Sequence, residues 1–214
     1  MTVVHVFAGG NPVSAGRITH LPSAYLVVAA DSGADTAAAI GATVDVLAGD
    51  LDSITRRTLD VIIDSGTTIE AHPSDKNATD LDLALGVAQR LGADEIVVIG
   101  GGGSRLDHLL GNVAVISART MQEVQVRWVL DRETAYVVHD RRSIPVAVGA
   151  TFSVIPVGGD AHGVTVTGSK WTLDNATLKA GTSLGIINLA QAPQLEVAVR
   201  SGNLLVVVNH CPEG

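Results

Sequence analysis

The chain has 214 residues, which suffices for one large or two small domains and for a sizeable hydrophobic core. Hydrophobic residues make up 46% and charged residues 17% of it, which excludes disorder, and no apolar run reaches the roughly 18 residues of a membrane span. The formal net charge of −8 makes nucleic acid and anionic membranes unfavourable partners. The one cysteine, Cys211, cannot form an intrachain disulfide and no basic signal region starts the chain, so we expect a cytoplasmic protein.

Short β-branched segments alternate with amphipathic helical patterns over the first two-thirds of the sequence. The predicted strands cover residues 3–7, 25–30, 67–71, 95–99 and 124–130. The clearest helices are predicted at 80–91 and 106–118, where apolar residues recur along one face. Nearly continuous apolar strands separated by helices predict an α/β fold, with a doubly wound, mostly parallel, Rossmann-like sheet in a first domain of residues 1–132.

Beyond that domain the helical periodicity disappears, and short strand-like segments recur between glycine-containing turns. These segments cover residues 135–138, 152–155, 164–167, 195–199 and 204–208. Gly158 and Gly159 are among the residues expected to separate strands. The pattern predicts a second domain, residues 133–214, that is a small antiparallel β-sandwich.

Ligands of open α/β sheets bind beyond the carboxyl ends of the strands, and four loops at such places are rich in acidic residues or glycine. They cover residues 30–35, 48–53, 72–80 and 100–108. Together they favour phosphoryl transfer, in which a protein positions a nucleotide, neutralises its charge with a metal ion and orients the attacking oxygen.

Asp50 and Asp52 stand two residues apart on an irregular segment after Gly49. Their carboxylates can point toward one position, where they would repel each other unless a cation such as Mg2+ lay between them. Two solvated turn residues, or a helix cap before Thr55, explain the same pair about as well.

The third loop combines Asp75, Lys76 and Asp80, a mixture that can hold a metal ion and a polyphosphate together. The same residues have a simpler interpretation, because Thr79 and Asp82 resemble a capping box and Asp80 suits the positive end of a helix. From the residues alone, capping is the favoured interpretation.

Four glycines at 100–103 allow a ligand to approach the backbone, and the helix start that follows supplies free amides for phosphate. Gly102, Gly103 and Ser104, with Gly33 of the first loop, are therefore candidate nucleotide-binding residues. The run lacks the Gly-Lys-Ser/Thr of a Walker loop and the third glycine of the dinucleotide fingerprint, which argues against a nicotinamide-dependent oxidoreductase.

The residues after the glycine run also allow two interpretations. Arg105 would place a guanidinium fork suited to phosphate beside the glycines. Ser104 and Asp107 could instead only cap the next helix.

Taken in order, these loops resemble the motifs of the thiamine pyrophosphokinase family. The resembling segments are 30–34, 49–53, 75–80, 103–108, 168–173 and 181–188. They span nearly the whole chain in the family's order. The resemblance implies an ATP-binding catalytic domain, a thiamine-binding β-sandwich that dimerises, and Mg2+-dependent transfer of the pyrophosphoryl group of ATP to thiamine, with AMP as the second product.

The resemblance also implies an acidic cluster around Mg2+ and the reacting oxygens, formed by Asp31, Asp50, Asp52 and Asp80. Lys76 would lie near the phosphates, and Arg105 and Asp107 would complete the catalytic pocket. Trp171 would stack on the cationic thiamine rings from the partner subunit of a homodimer, with Asn188 nearby. Without the resemblance, Trp171 could equally anchor the sandwich core, and Asn188 could be a turn residue.

Two positions depart from the family pattern. Asn77 stands where the family often has an acid, which removes one charge at the metal site. Ile187 stands where the family often has a serine, whose hydrogen bond to the substrate would contribute about 1 kcal/mol. These departures leave two alternatives: a pyrophosphokinase for another heteroaromatic alcohol, and a non-catalytic sensor of thiamine or nucleotide. The complete acidic set argues against the sensor.

Overall fold

The structure is a computed structural model that describes residues 1–103 and 105–210. It has a mixed α/β fold that divides into two compact units. The first comprises Met1–Ile116 and Glu123–Asp131, and the second comprises Ser117–Gln122 and the chain from Arg132 onward. Within the described ranges, every helix is too short or too polar to cross a membrane.

A parallel sheet forms the centre of the first unit. Its strands are β1 (Val3–Ala8), β2 (Leu26–Ala30), β3 (Val46–Gly49), β4 (Thr68–Ala71), β5 (Glu95–Gly100) and β6 (Gln125–Val129). Its helices are α1 (Ala15–Ile18), α2 (Gly33–Ala39), α3 (Arg56–Asp64), α4 (Asp80–Arg90) and α5 (Leu106–Ile116). The strand order is β4-β3-β2-β1-β5-β6, and all neighbours are parallel. The mainly parallel sheet predicted from the sequence is therefore confirmed.

This strand order determines where a ligand can bind. After β1 the chain adds β2, β3 and β4 on one side and then returns to add β5 and β6 on the other. The loops after β1 and β5 therefore leave the sheet in opposite directions, which opens a crevice between the carboxyl ends of these two strands. Every residue of β1 and β5 is buried, as expected for the centre of a parallel sheet.

The two predicted helices differ in how their apolar faces are used. α4 ends one residue before the predicted boundary, and it buries Leu81, Ala84, Leu85 and Ala88 of the predicted face. Leu91, the last residue predicted on that face, lies beyond the helix and is exposed. α5 begins where predicted, but Leu106 and Leu110 of its apolar face are exposed. Periodicity identifies an apolar face without showing whether anything covers it.

The second unit is built from antiparallel strands. They are β7 (Glu133–Val138), β8 (Arg141–Pro145), β9 (Thr151–Thr167), β10 (Leu173–Leu178), β11 (Asn188–Leu189), β12 (Gln194–Ala198) and β13 (Ser201–Asn209). β9 pairs with β10, β11, β12 and β13, while β7 pairs with β13 and β8 with β12. A separate apolar core, which includes Phe152, Leu178 and Leu195, belongs to this unit.

The prediction that Gly158 and Gly159 separate two strands is wrong, because β9 continues through both glycines. Their φ angles are 75° and 149°, in a region that side chains disfavour. The register with β13 shifts here, where His162 pairs with Ser201 and Val157 with Asn203. The glycines therefore allow a bulge that bends a long strand instead of ending it.

Candidate active site

Two glycine-containing loops meet at the carboxyl ends of β1 and β5. The amide of Gly101 donates to the carbonyl oxygen of Gly9 at 2.7 Å, and the amide of Asn11 donates to the carbonyl oxygen of Gly102 at 2.7 Å. Gly10 has a φ of 101°, and a side chain at this position would collide with the carbonyl oxygen of Gly102. The absence of a side chain at Gly10 therefore lets the two loops bond directly to each other.

Two side chains hold the glycine run after β5 in place. Asn112 of α5 donates from Nδ2 to the carbonyl oxygen of Gly101 at 2.8 Å. Trp128 of β6, which is buried, donates from Nε1 to the carbonyl oxygen of Gly100 at 2.6 Å. These two bonds, together with those to the loop after β1, fix the path of the backbone in the glycine run.

A cavity of about 650 Å³ lies at this edge of the first unit. This volume lies within the range of small-molecule and cofactor sites. The predicted site residues on its wall are Asp31, Lys76, Asp80, Gly102, Gly103, Arg105 and Asp107. Sequence reasoning missed wall residues on the loop after β1 and on α5, namely Gly9, Gly10, Asn11 and Asn112. The glycine pair after the first predicted strand was the available signal for the former.

Three aspartates converge where β2 and β3 end. Asp31 follows β2, and Asp50 and Asp52 follow β3; each offers a carboxylate oxygen, and these oxygens lie within 4.8 Å of one another. Asp31 has a φ of 43°, and Leu51, between the other two aspartates, has a φ of 64°. A left-handed leucine is uncommon, and here it lies within the turn that carries both carboxylates. The hydroxyl of Ser53 donates to Asp52 Oδ1 at 2.7 Å.

The carboxylate of Asp31 is the most buried of the three. Asp31 is only 4% exposed, and none of the described residues donates a hydrogen bond to its Oδ1. Burial raises the pKa of Asp31 above its usual value, and the nearby carboxylates of Asp80 and Asp50 add to the rise. An unpartnered buried carboxylate oxygen beside two further carboxylates is a donor set that suits a hard divalent cation.

Lys76 lies between two acidic side chains. Its Nζ is 3.0 Å from Asp50 Oδ2 and 2.9 Å from Asp80 Oδ1, and its side chain is 12% exposed. The hydrogen bond from Lys76 lowers the pKa of Asp50. The hydrogen bond to Asp80, together with the one to Asp50, raises the pKa of Lys76.

Asp80 lies both at a capped helix start and in a charged cluster, the two alternatives that the sequence left open for its loop. It is the first residue of α4, and the preceding Thr79 caps this helix by accepting from the amide of Asp82 at 3.2 Å. It also pairs with Lys76 on the cavity wall. The capping predicted for Thr79 is therefore confirmed, and it coexists with a charged site.

Two glycines allow close approach of the backbone near these acids. A side chain at Gly49 would lie 3.0 Å from Asp31 Cβ and 3.1 Å from Asp80 Oδ1, so the end of β3 needs a glycine. A side chain at Gly33 would collide with the carbonyl oxygen of Phe7. Gly33 thus packs the start of α2 onto β1 and lies outside the residues that line the cavity.

Arg105 and Asp107 form a two-pronged ion pair at the start of α5. Arg105 Nη2 is 2.7 Å from Asp107 Oδ2, and Nε is 3.2 Å from Oδ1. Both side chains are exposed. The hydrogen bonds from Arg105 lower the pKa of Asp107 to about 2, and the amide of His108 contributes further. Ser104, which was also predicted to bind nucleotide, lies outside the described residues.

Trp171 and Asn188 belong to a second cavity, of about 270 Å³, in the second unit. Its other lining residues are Val154, Val166, Leu173, Ser183, Leu184, Gly185, Ile186 and Ile187. Trp171 is 53% exposed, so the alternative that it anchors the core is wrong. The ammonium group of Lys170 lies 4.7 Å from the centre of the Trp171 ring, which is the geometry of a cation–π contact.

Comparisons with known proteins match both units. Residues 19–129 match the family model described as "Thiamin pyrophosphokinase, catalytic domain", and residues 140–204 match "Thiamin pyrophosphokinase, vitamin B1 binding domain". Thiamine pyrophosphokinase of Bacillus subtilis is 28% identical over 192 residues, which cover 88% of this chain and 89% of that protein. Thiamine pyrophosphokinase 1 of rice is 27% identical over 165 residues, which cover 72% of this chain and 61% of the rice protein.

The fold is similar to solved structures as well. The crystal structure of thiamine pyrophosphokinase from Bacillus subtilis aligns with a TM-score of 0.86 and 25% identity, covering 99% of this chain and 100% of that one.

Proposed function

The chain belongs to the thiamin pyrophosphokinase family, and from this we propose that it transfers the pyrophosphoryl group of ATP to the hydroxyl of thiamine. The products are thiamine diphosphate and AMP. The observation that carries the proposal is the juxtaposition of the three converging aspartates with a glycine-lined cavity in the first unit. Phosphoryl transfer needs acidic residues that bind a metal ion and a fixed, glycine-lined backbone that binds a polyphosphate.

The two predicted domains bind different substrates. Residues 1–132 bind ATP and carry the catalytic groups, and residues 133–214 bind thiamine. In finer detail, the first domain is a doubly wound, Rossmann-like sheet and the second is a β-sandwich. The location of the 650 Å³ cavity within the first unit and of the aromatic 270 Å³ cavity within the second supports this division.

The residues present fit a divalent metal ion, and Mg2+ is the one we propose. The unpartnered Asp31 Oδ1, with the carboxylates of Asp50 and Asp52, supplies hard oxygen ligands. Asp80 lines the cavity together with Asp31. When bound, Mg2+ supplies positive charge to the phosphate oxygens and so reduces the negative charge that an incoming oxygen must approach.

The glycine run after β5 binds the polyphosphate of ATP. Gly102 and Gly103 lack side chains that would keep a phosphate away from the backbone, and Ser104 completes this set. Gly33 contributes indirectly, because it packs the start of α2 onto β1 next to the cavity-lining Ser32. Arg105 and Lys76 contribute cationic donors to the phosphate oxygens. Asp107 orients the guanidinium of Arg105 through the two-pronged pair.

In the reaction, the hydroxyl oxygen of thiamine attacks the β-phosphorus of ATP. A carboxylate of the acidic cluster accepts the hydroxyl proton as the new oxygen–phosphorus bond forms. The bond from the β-phosphorus to the oxygen that bridges it to the α-phosphorus breaks, and that oxygen leaves with AMP. The side chains hold the hydroxyl and the β-phosphorus in line, which is the main contribution that a protein makes to such a transfer.

Trp171 binds the thiamine rings through its exposed indole, whose face attracts a cation. We propose, as the resemblance implies, that it reaches the site of the partner subunit in a homodimer, with Asn188 as its support. The dimer and the cytoplasmic location stay predictions of the sequence.

The test is product formation by purified protein. Protein, ATP and thiamine with Mg2+ should give equal amounts of AMP and thiamine diphosphate, and a chelator should abolish both. Asp52→Asn should lose nearly all turnover while its thermal unfolding stays close to that of the wild type. Asp64→Asn is the matched control, since Asp64 is an exposed aspartate at the end of α3, and it should keep full activity.

Other outcomes would contradict the proposal in distinct ways. Full activity of Asp52→Asn would remove Asp52 from the catalytic set. ATP binding without any product from thiamine would favour another heteroaromatic alcohol as acceptor, or a sensor, and a panel of such alcohols would separate the two.

A further inference from the structure

The ammonium group of Lys76 contacts the acidic cluster of the first unit. Lys76 Nζ donates to Asp50 Oδ2 at 3.0 Å and lies 2.9 Å from Asp80 Oδ1. Asp50 is also one of the three aspartates whose carboxylate oxygens lie within 4.8 Å of one another. The ammonium group therefore binds a carboxylate that a metal ion would also need.

A second observation indicates that this cluster is built to receive a cation. Asp31 is 4% exposed, and its Oδ1 lacks a hydrogen-bond partner among the residues that the structure describes. Leaving a buried carboxylate oxygen without a donor is costly unless a ligand completes it. Lys76 donates a hydrogen bond to Asp50 and forms a charge pair with Asp80, but Asp80 Oδ1, like Asp31 Oδ1, lacks a hydrogen-bond partner among these residues, so the cluster is only partly neutralised.

A divalent cation and Lys76 cannot both occupy this environment without a penalty. Two cations that share one carboxylate repel each other at short range, and partial burial strengthens that repulsion. The lysine side chain has a long, flexible stem, and Lys76 also lines the nucleotide-sized cavity. The ammonium group of Lys76 can thus break its hydrogen bond to Asp50, retain its ion pair with Asp80, and donate hydrogen bonds to a ligand in the cavity.

We propose that Lys76 is a resident counter-ion that competes with the divalent cation for Asp50 and moves to the phosphates of the nucleotide when the cation binds. The inference rests on the metal-dependent function proposed above. It implies that the metal ion binds weakly to the free protein and more tightly together with ATP, because the nucleotide provides Lys76 with new anionic partners.

The test is the affinity of the nucleotide-free protein for Mn2+, measured as loss of the electron paramagnetic resonance signal of free Mn2+. Lys76→Met removes the charge at similar length and should tighten Mn2+ binding by about tenfold or more. Lys76→Arg keeps the charge and should bind Mn2+ about as the wild type does. Lys179→Met removes an exposed charge in the second unit and should change nothing.

A second readout follows from the thermal unfolding temperature. Without metal, Lys76→Met leaves the carboxylates without their counter-ion and should unfold at a lower temperature than the wild type. Mn2+ should raise the unfolding temperature of this variant more than that of the wild type. If Lys76→Met does not fold, Lys76→Gln provides the same comparison, because its neutral amide can still donate to Asp50.

The results separate this proposal from the metal site itself. Equal or weaker Mn2+ affinity in folded Lys76→Met and Lys76→Gln, at a site that Asp50→Asn abolishes, would overturn the counter-ion role alone. Mn2+ binding that is unchanged when Asp50→Asn is added to Lys76→Met would overturn the proposed metal site. Tighter binding that requires Asp50 would support both.

Discussion

The side chain of Asn188 bonds to both backbone polar groups of Trp171, the amide and the carbonyl. Its Oδ1 accepts from the amide of Trp171 at 3.2 Å, and its Nδ2 donates to the carbonyl oxygen of Trp171 at 2.7 Å. The hydroxyl of Ser169 donates to the same carbonyl oxygen at 3.1 Å. Asn188 is buried whereas the indole of Trp171 is half exposed, so a fixed amide positions an exposed aromatic ring.

Asn188→Ala should therefore weaken thiamine binding through Trp171. We expect KM for thiamine to rise about tenfold while KM for ATP changes little, because the lost hydrogen bonds lie in the second unit. Steady-state kinetics with each substrate varied in turn would measure this. Asn203→Ala is the control, since Asn203 bonds His139 and the carbonyl oxygen of Ser117 in the same unit. An equal rise in both KM values, or the same effect in Asn203→Ala, would contradict the positioning role.

Asp31→Asn should stabilise the metal-free protein and abolish turnover. The raised pKa of Asp31 means that the folded chain favours the protonated form of this carboxyl group. The contribution of Asp31 to the free energy of unfolding is therefore complete at low pH, and it is lost as pH rises through the raised pKa. At neutral pH the charged carboxylate therefore lowers the free energy of unfolding. Asparagine removes the charge and tolerates the φ of 43°.

Thermal unfolding in a chelator would measure this effect. We expect Asp31→Asn to raise the unfolding temperature at neutral pH by about 2–4 °C, the shift that about 1 kcal/mol causes in a chain of this size. The gain should shrink as pH falls, because the wild-type carboxyl then becomes neutral as well. Asp64→Asn should show no such gain. A less stable Asp31→Asn in chelator at neutral pH would contradict the prediction.

Gly10→Ala should separate the two loops that line the 650 Å³ cavity of the first unit. The new methyl group would collide with the carbonyl oxygen of Gly102, which now accepts from the amide of Asn11 at 2.7 Å. Gly92→Ala is a matched control, because Gly92 also has a positive φ, 77°, but has open space where the methyl group would lie. In both variants the free energy of unfolding should fall by about 1–2 kcal/mol, because alanine is strained at a positive φ. Only Gly10→Ala should lose more than this and weaken ATP binding.

Isothermal titration with ATP and denaturant unfolding would separate these losses. Equal destabilisation of the two variants with unchanged ATP affinity would show that the contact between the loops does not form the binding surface.

The pKa of Asp107 provides a test of the ion pair at the start of α5. Its value of about 2 lies below the ordinary 3.8, so the pair stabilises the folded chain above pH 3.8, and this contribution disappears as pH falls toward 2. Arg105→Gln should return the pKa of Asp107 to near its ordinary value. Carboxyl carbon chemical shifts recorded against pH would measure it, and an unchanged midpoint in the variant would contradict the pairing. Because both groups are exposed, we expect little change in overall stability.

The alternation of strands and helices was predictable because it depends on local periodicity. α4 has one strongly apolar face and a capping threonine, and both signals lie within a dozen residues. The path of β9 was not predictable in this way. Gly158 and Gly159 look locally like a turn, and only the pairing with β13 shows that they form a bulge.

The same distinction applies to the candidate site. The aspartates were conspicuous because Asp31 directly follows a predicted strand and Asp50 and Asp52 form a closely spaced pair after Gly49. The partners of Lys76 were not, since Asp50 lies 26 residues earlier in the chain and is brought close by the sheet. The glycine pair that contains Gly10 was a local signal, but the contact of Gly10 with Gly102 was not predictable, because the strand order brings these two residues together.

Ile187 has an unfavourable backbone conformation beside the aromatic cavity of the second unit. Its φ of 58° is left-handed, its side chain is 67% exposed, and its amide donates to the hydroxyl of Ser153 at 3.1 Å. A β-branched residue is rare in this region and costs about 1–2 kcal/mol there. Because the Ile187 side chain is exposed, its burial does not offset the free-energy cost of the strained backbone. This favours a role for Ile187 in binding over a role in folding.

Ile187→Gly should therefore raise the free energy of unfolding by up to about 1 kcal/mol, because glycine adopts the left-handed conformation without strain, and its entropy in the unfolded chain offsets part of the gain. We expect KM for thiamine to rise in the same variant, since Ile187 lines the cavity with Trp171. Asn175→Gly is the control for the backbone, because Asn175 has a φ of 48° and asparagine tolerates it, so little stability should be gained there. Denaturant unfolding and thiamine kinetics on both variants would measure the two effects. A stabilised Ile187→Gly with unchanged kinetics would show that the strained isoleucine makes no contribution to acceptor binding.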